Sequence, residues 1–520
     1  MDAAGIGIGM GLFARGLLCA FAACFATQED PKPAPPATRA APASNPRQGR
    51  LTARRRSVLF YLIDTCRADH LSVDGYARPT TPFLEKLAAR GVRFDHCFSQ
   101  APWTKPSMSA ILTSCYPTVT GMHQFGGQLD NRFVTLPEAL RDAGWYTAGF
   151  SANPLMGRMS NYNQGFRKFV DSTSVIPGSE SGHSATSGSA KALNQQVLPW
   201  IEQNAEWPYF LYVHSVDPHE NYEPAPEYLK LFADPAHEAQ YRKEWQALVD
   251  VKPGQVANAC TKVRFEKAGV EIEPFIEYGK QLYDADIRAN DDEIARLVDA
   301  LDQKGQLDDM IVVVTADHGE EFFEHGGTSH AFMLWNELIH VPLLIIAPGL
   351  LPEGLVVKDP VQSLDLYPTL LDLLGVTPPE GLQGRSFAPQ CQGKPGDGRM
   401  IFSENHETPG SEESRVLQNQ GVTLSVIRGP WKFILNLKCP TDRPRPRAEL
   451  YRIDQDFAER KNLAEEQPEL SAELEQVLLS WWAVNSARRE GVSVGNLTLD
   501  ALEEADPDTL ERLRKLGYVK

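Results

Sequence analysis

The sequence predicts an α/β protein with a mostly parallel central sheet, followed by a small C-terminal subdomain of different make-up. Two patterns carry this expectation. Short apolar runs alternate with stretches of helical period from residue 58 onward, as in strands joined by crossover helices. Beyond about residue 396 the runs TLSVIRGPWKFILNL and AELYRID suit a small antiparallel sheet with a closing helix. At 520 residues with 42% apolar content, the chain is long enough to bury a large core.

The first segment reads as a leader. Arg15 is followed by GLLCAFAACFA, too short to span a bilayer, which takes about 20 apolar residues, but suited to a signal-peptide core. Ala22 and Ala23 before Cys24 resemble a bacterial lipoprotein signal, although Phe21 is unusual at its position there. Residues 1–24 are therefore expected to be a signal peptide or lipoprotein leader. That implies export to the periplasm or cell envelope, with Cys24 as the candidate point of lipid attachment to a membrane. Residues 25–56, rich in Pro, Ala and Arg without hydrophobic period, read as an extended linker. Within it the Arg54 to Arg56 cluster reads as a solvated linker end.

Ordered structure is expected to begin at SVLFYLID. Candidate buried strands are Val58 to Ile63, Tyr146 to Phe150, Phe210 to Val213, Ile311 to Val314 and Pro342 to Ile346. The stretch TTPFLEKLAARG predicts a helix with Thr80 or Thr81 as cap, Pro82 in the first turn and Gly91 as stop. DDEIARLVDALDQKG predicts another, with Ile294, Leu297, Val298 and Leu301 on one face and Gly305 closing it. Ser172 to Ser189 reads as a Ser/Gly-rich loop, and residues 224 to 275 as an insertion of mixed character.

Composition excludes some classes. A formal charge of −17 argues against a sequence-independent grip on nucleic acid, which needs clustered Lys and Arg. Eight cysteines include no Cys-x-x-Cys pair, so a zinc knuckle is not expected. Cys66, Cys97 and Cys115 lie among core-like residues and read as buried thiols.

Polar residues gather where the buried runs stop. VLFYLI leads into Asp64, FLYV into His214, Asp217 and His219, and IVVVTA into Asp317 and His318. In a parallel sheet the carboxyl ends of the strands share one edge, outside which ligands bind. Any one of these residues alone reads as a turn former or helix cap. Together Asp64, Asp317 and His318 offer a donor set for Ca, Mn, Mg or Zn.

The run from YLIDTCRADH through APWTKPSMSAILTS to CYPTVTG, with TADHGEEFFEHGG, NELIHVPLLIIAPG and AELYRIDQDFAERKNLA after it, resembles the sulfatase family of the alkaline phosphatase superfamily. The closing DTLERLRKLGYV is similar to a subgroup of it. That resemblance implies a doubly wound α/β/α sandwich over residues 57–395, a C-terminal α+β subdomain and tail over residues 396–520, and a divalent metal ion, with Ca, Mn or Zn as candidates. The family's nucleophile segment is Cys-x-Pro-Ser-Arg or a serine version, whose first residue is oxidised to formylglycine. Here the matching residues are Thr104, Lys105, Pro106, Ser107 and Met108. Threonine carries a methyl group on Cβ, so that oxidation cannot yield the aldehyde, and no formylglycine is expected. Other departures are Thr65 in place of a second aspartate, AGFSANPLM in place of a Gly-Lys-x-His stretch, and His318 where many sulfatases have asparagine.

Threonine nucleophiles resemble those of superfamily members that act on phosphate diesters or transfer phosphoethanolamine and phosphoglycerol. By that likeness Asp64, Thr104, Asp317 and His318 surround the cation, and Thr104 attacks. The competing reading makes Thr104 a cap for a helix beginning at Pro106. His214, His219 and His330 are the catalytic histidines expected, and Lys105 and Asp217 the substrate contacts. Asp217, His219 and His330 form an alternative second metal set. His325 reads as an ordinary hydrogen-bonded residue, and Glu320, Glu321 and Glu324 as a solvated face or helix start.

The functional expectation is a metal-dependent hydrolase of sulfate or phosphate esters, its substrate an anionic glycan or lipid head group and not a nucleic acid. One alternative is a phosphodiesterase or phosphoethanolamine/phosphoglycerol-type transferase. Another is a non-catalytic module that binds sulfated or phosphorylated glycans.

Overall fold

The computed structural model describes residues 55–123, 127–153, 155–158, 160–171, 189–204, 206–251, 260–406, 421–439 and 444–490. The leader, nearly all of the linker, the Ser/Gly-rich stretch up to residue 188 and the DTLERLRKLGYV tail lie outside the described residues.

The strands, in chain order, begin with β1 (Ser57–Ile63), β2 (Val92–Phe98), β3 (Tyr146–Ser151), β4 (Lys168–Val170) and β5 (Tyr209–Ser215). They continue with β6 (Met310–Ala316), β7 (Glu321–Phe322), β8 (Thr328–Ser329), β9 (His340–Ile346), β10 (Leu355–Val357) and β11 (Val361–Gln362). Among the described residues the main sheet runs β10-β2-β9-β6-β1-β5-β3-β4, with β11 on β2. Only β9 runs against its neighbours β2 and β6; the other pairings are parallel. This is the mostly parallel α/β sheet that the apolar runs predict, flanked by helices.

β1 is apolar throughout except its first residue, and from Val58 to Ile63 it is buried on both faces, as a central parallel strand must be. Its register decides where the chemistry lies. Ile63 pairs with Ser215 of β5 and with Ala316 of β6, while Ser151 of β3 pairs with His214. Asp64, His214 and Asp317 are therefore level with one another at one sheet edge. Apolar periodicity overlooked β2, because Arg93, Asp95 and His96 interrupt its run. Val92, Phe94 and Cys97 nonetheless face the core.

Two helix expectations need correction at their ends. The helix Pro82–Ala88 has Thr81 at its N-cap position, but no cap-side-chain hydrogen bond forms there. Asp291 from the long helix takes over, accepting from the amides of Phe83 at 2.8 Å and Leu84 at 2.9 Å. The second predicted helix is the last part of a 32-residue helix, Ile272–Gln303. The expected insertion supplies shorter helices, Pro226–Phe232, Glu238–Val251 and Lys262–Ala268, before it.

The C-terminal part forms β12 (Ile401–Asn405), β13 (Val422–Arg428), β14 (Trp431–Lys438) and β15 (Ala448–Arg452), all antiparallel. The helix Pro468–Glu490 closes them, setting Leu474, Leu478 and Leu479 against Leu424, Phe433 and Leu450. Lys432 is fully buried; it pairs with Glu459 of the same C-terminal part at 2.8 Å and reaches the main domain by donating to Asn336 Oδ1 at 2.9 Å. Arg55, which is exposed, and Arg56 donate to the carbonyls of Ala143 and Asp308. Cys66, Cys97, Cys115, Cys391 and Cys439 carry free thiols. No described helix is long and apolar enough to cross a membrane.

Candidate active site

Asp64 follows β1 directly, and its amide continues the sheet by donating to the carbonyl of Ser215 at 3.0 Å. Its Oδ2 accepts from Asn153 Nδ2 and lies 3.1 Å from His214 Nε2. Asp317 follows β6, and its Oδ1 accepts from the amides of Thr65 at 3.2 Å and His318 at 2.9 Å. Both carboxylates are fully buried, yet Oδ1 of Asp64 and Oδ2 of Asp317 have no hydrogen-bond partner. Buried carboxylate oxygens without partners are costly. Their position suits a bound cation.

His318 sits between them. Its Nε2 is 3.7 Å from Asp64 Oδ1, 3.4 Å from Asp317 Oδ2 and 3.4 Å from Thr104 Oγ1. Thr104 is the first residue of the helix Thr104–Thr113, and Trp103 holds the N-cap position in extended conformation. The helix thus starts two residues before Pro106, and the threonine hydroxyl is directed at the acidic cluster. Ser107 pins that first turn by donating to the Asp317 carbonyl at 2.6 Å. A helix N-terminus here adds favourable potential for an anion.

A second cluster adjoins the first. His219, Glu220 and His330 bring one donor atom each within 4.8 Å of one another. The His330 ring lies 4.6 Å from that of His318 and 5.0 Å from that of His219. Lys105, fully buried, donates from Nζ to the Gly127 carbonyl at 2.6 Å. Asp217 is turned elsewhere: its Oδ2 accepts from Ala190 at the start of the helix Ser189–Asn204, and its carbonyl accepts from Asn290.

The charges explain one another. Burial works against ionisation of Asp64, but its hydrogen bond and proximity to His214 hold it well below the usual carboxylate range. Burial and the Asp64 charge push Asp317 up to about 7. Burial lowers His318 to about 4 and, with His219 nearby, His330 to about 4, leaving both rings neutral and fit to act as ligands. Burial opposes a charge on His219, yet Asp64, Glu220 and Glu320 push it up to about 9. Burial lowers Lys105 to about 8.

The solvated face expected for Glu320, Glu321 and Glu324 is not found. The β7–β8 hairpin folds the segment back, leaving Glu320 at 0% and Glu321 at 1% exposure. Glu320 meets His330 Nδ1 at 3.1 Å, and Glu324 pairs with Arg67 at 2.8 Å. His325 is structural: its ring stacks on Trp335 at 4.0 Å and its nitrogens meet Glu337 and the Glu459 carbonyl. Sequence reading missed Asn153, Glu220 and Glu320. Asn153 stands two residues after β3, where the strand-end rule that found Asp64 points to it. Glu220 and Glu320 gave no such signal, being one of several acids in their segments.

Comparison with known proteins bears on the family and the fold. A family model described as Sulfatase matches residues 56–376, and one for the C-terminal part of N-sulphoglucosamine sulphohydrolase matches residues 323–481. The chain is 25% identical over 440 residues to an N-acetylglucosamine-6-O-sulfatase of Bacteroides thetaiotaomicron, covering 71% of this chain and 77% of the relative. It is 24% identical to arylsulfatase K of Rattus norvegicus, covering 77% and 73% respectively. Among solved structures, a protein in complex with its substrate D-glucosamine-2-N,6-O-disulfate superposes with a TM-score of 0.66 at 20% identity, over 84% of this chain and all of the other. The phosphonate monoester hydrolase of Agrobacterium radiobacter superposes with a TM-score of 0.65 at 20% identity, over 83% and 96%.

Proposed function

The chain belongs to the sulfatase family, and from that premise we propose that it is a metal-dependent hydrolase of sulfate or phosphate esters whose nucleophile is the unmodified hydroxyl of Thr104. One observation carries the reading: Thr104 Oγ1 lies 3.4 Å from His318 Nε2, which is itself 3.4 Å and 3.7 Å from the unpartnered oxygens of Asp317 and Asp64. Two carboxylates and a neutral imidazole are a donor set for a divalent cation. Asp64, Asp317 and His318 hold it, with Thr104 beside them and His214 completing the acidic group around Asp64. When bound, a divalent cation supplies Lewis acidity, stabilising negative charge on oxygen at neutral pH.

The chain's own residues do the rest. Asn153 and His214 orient Asp64, and the Thr65 and His318 amides orient Asp317. The first turn of the Thr104 helix fixes the hydroxyl and offers the positive end of its dipole to the anionic ester. Oγ1 gives up its proton to water as it bonds to sulfur or phosphorus, the bridging ester oxygen departs with the electron pair of the broken bond and takes a proton from a site histidine, and water then cleaves the enzyme ester, returning a proton to Oγ1. Lys105, buried next to the nucleophile, orients the anion.

Threonine cannot become formylglycine, which supports phosphate as well as sulfate esters as substrates and keeps the phosphodiesterase or head-group transferase reading as an alternative. The binding-module reading is weaker, because it leaves the bare oxygens of Asp64 and Asp317 without a purpose. We further propose that residues 1–24 direct export and that Cys24 carries a lipid anchor.

The deciding experiment assays purified protein on nitrophenyl sulfate, nitrophenyl phosphate and bis-nitrophenyl phosphate, with added divalent metals and with chelator, beside Thr104→Ala. Metal-dependent turnover lost in the variant is expected, with a covalent adduct on Thr104 seen by mass spectrometry. Turnover that survives in Thr104→Ala overturns the mechanism.

A further inference from the structure

We propose that the recess beside β2, walled by Asp74, Asp95, His96 and Phe457, binds a small organic amine in its ammonium form. The recess is independent of the ester chemistry, since none of its lining side chains belongs to the clusters around Asp64 or His219. It has a volume of about 360 Å³ and is lined by Asp69, Asp74, Arg93 and Asp95 together with the rings of His96 and Phe457. Small-molecule pockets run to about 300–1,000 Å³, so a compact organic molecule fits. Adjacent residues of a regular strand point to opposite faces, yet Asp95 and His96 both line the recess. The irregularity of β2 between Phe94 and Cys97 permits this.

One oxygen on the wall stands apart. Arg67 takes both oxygens of Asp69, from Nη2 at 2.7 Å and Nε at 2.8 Å. Arg93 reaches Asp74 Oδ1 at 2.7 Å and Asp95 Oδ1 at 2.9 Å. Asp74 Oδ2 has no hydrogen-bond partner, although the side chain is only 10% exposed, and His96 Nδ1 is likewise buried without one. A bare buried carboxylate oxygen is costly. An N–H donor arriving through the recess satisfies it.

The charge count selects a monocation. At pH 7.5 Asp69, Asp74 and Asp95 bring three negative charges, Asp74 being pushed up only to about 6 by burial, and Arg67 and Arg93 bring two positive ones. Burial lowers His96 and takes His340, which also lines the recess, down to about 4, so both rings are neutral. One negative charge remains, on the side where Asp74 Oδ2 is bare. A single metal ion does not suit this wall: among the described residues its groups bring no three donor atoms within 4.8 Å of one another, as Asp64, His214 and Asp317 do. An organic cation spans the wider spacing. Its apolar body has a surface to lie on, because the Phe457 ring stands 5.6 Å from that of His96 and 4.8 Å from that of His340. An ammonium is also attracted to an aromatic face.

The test titrates the full chain by calorimetry with cyclohexylammonium chloride, with cyclohexanol as the uncharged isostere, and with calcium chloride. One equivalent of the ammonium is expected, bound at least tenfold more tightly than the alcohol. Asp74→Asn, which keeps the side chain's shape, should weaken it at least tenfold, and Phe457→Leu at least threefold, both with an unchanged circular dichroism spectrum. A third readout needs no variant: Asp74 takes up its proton at about 6, among Arg93, Asp69, Asp95 and the neutral rings of His96 and His340. The native chain should therefore bind the ammonium about tenfold less tightly at pH 5 than at pH 7.5. No binding of the ammonium, or equal affinity for ammonium and alcohol, overturns the proposal. Equal affinity in the native chain and Asp74→Asn, or at the two pH values, overturns its placement on Asp74. Calcium that displaces the ammonium overturns the organic ligand in favour of a metal ion.

Discussion

His318 Nε2 stands 3.4 Å from Thr104 Oγ1, across 214 residues of sequence. A strand end and a helix start meet there. If the hydroxyl is the nucleophile, Thr104→Ala should lose at least about 10³-fold in turnover, while Thr104→Ser keeps a measurable fraction. Steady-state kinetics on the preferred nitrophenyl ester, with folding checked by circular dichroism, measures both.

Removing metal should cost stability as well as activity. Without a cation, Asp64 and Asp317 face each other's charge in a buried site, and burial with that repulsion raises Asp317 to about 7. Metal at about 100 times its dissociation constant adds roughly 2.7 kcal/mol. Differential scanning calorimetry should show a lower Tm after chelation that returns on adding metal. Asp317→Asn should abolish that response, and a Tm indifferent to chelator would contradict the cation site.

Acid should weaken the fold at His340. His340 is buried against Phe98 and Phe457, and its Nε2 donates to the Asp95 carbonyl at 2.9 Å. Burial lowers it to about 4, with His96 and Lys432 adding to the effect and Asp69 opposing it. The unfolded chain therefore binds a proton near pH 6.5 that the folded chain refuses until about pH 4. Its contribution to stability is level above pH 6.5 and falls as pH drops toward 4, by at most about 1.4 kcal/mol per pH unit. Urea titrations across that range should show a smaller slope in His340→Gln; an equal slope would assign the acid sensitivity elsewhere.

The buried Lys432 and Glu459 pair should behave asymmetrically. Burial lowers Lys432 and raises Glu459 to about 7, so each is ionised chiefly because of the other. Lys432→Ala leaves Glu459 alone and should cost about 3–5 kcal/mol, whereas Lys432→Met with Glu459→Gln should cost less than the single change. Equal losses in single and double variants, measured by chemical denaturation, would show that the pair is not coupled.

The proposed leader makes a simple chemical prediction. Chain recovered from the membrane fraction of a bacterial host should begin at Cys24 and carry acyl mass on it, and Cys24→Ala should move it to the soluble envelope fraction. Intact mass spectrometry showing Met1 retained would refute the leader.

Much of the fold could be read locally. Val58 to Ile63, Phe210 to Val213 and Ile311 to Val314 are apolar at consecutive positions, a pattern that only a strand covered on both faces requires. The polar residues that end those runs, Asp64, His214 and Asp317, were legible for the same reason. β2 was not, because its polar residues break the apolar run: Arg93 pairs with Asp74 and His96 lies against His340, partners in other elements, while Asp95 pairs with Arg93 inside the strand.

By itself the sequence determined the apolar central strands, the family resemblance and the Cβ methyl group that Thr104 carries, since each depends on neighbouring residues or on the side chain's own atoms. Only tertiary structure decided that Glu320 turns inward to His330, that Asp217 serves the helix joint at Ala190, and that His219 and Glu220 lie opposite His330. Those outcomes follow from strand register and a short hairpin, which bring together charges far apart in the chain, and a buried charge takes its role from whatever partner is within a few ångströms.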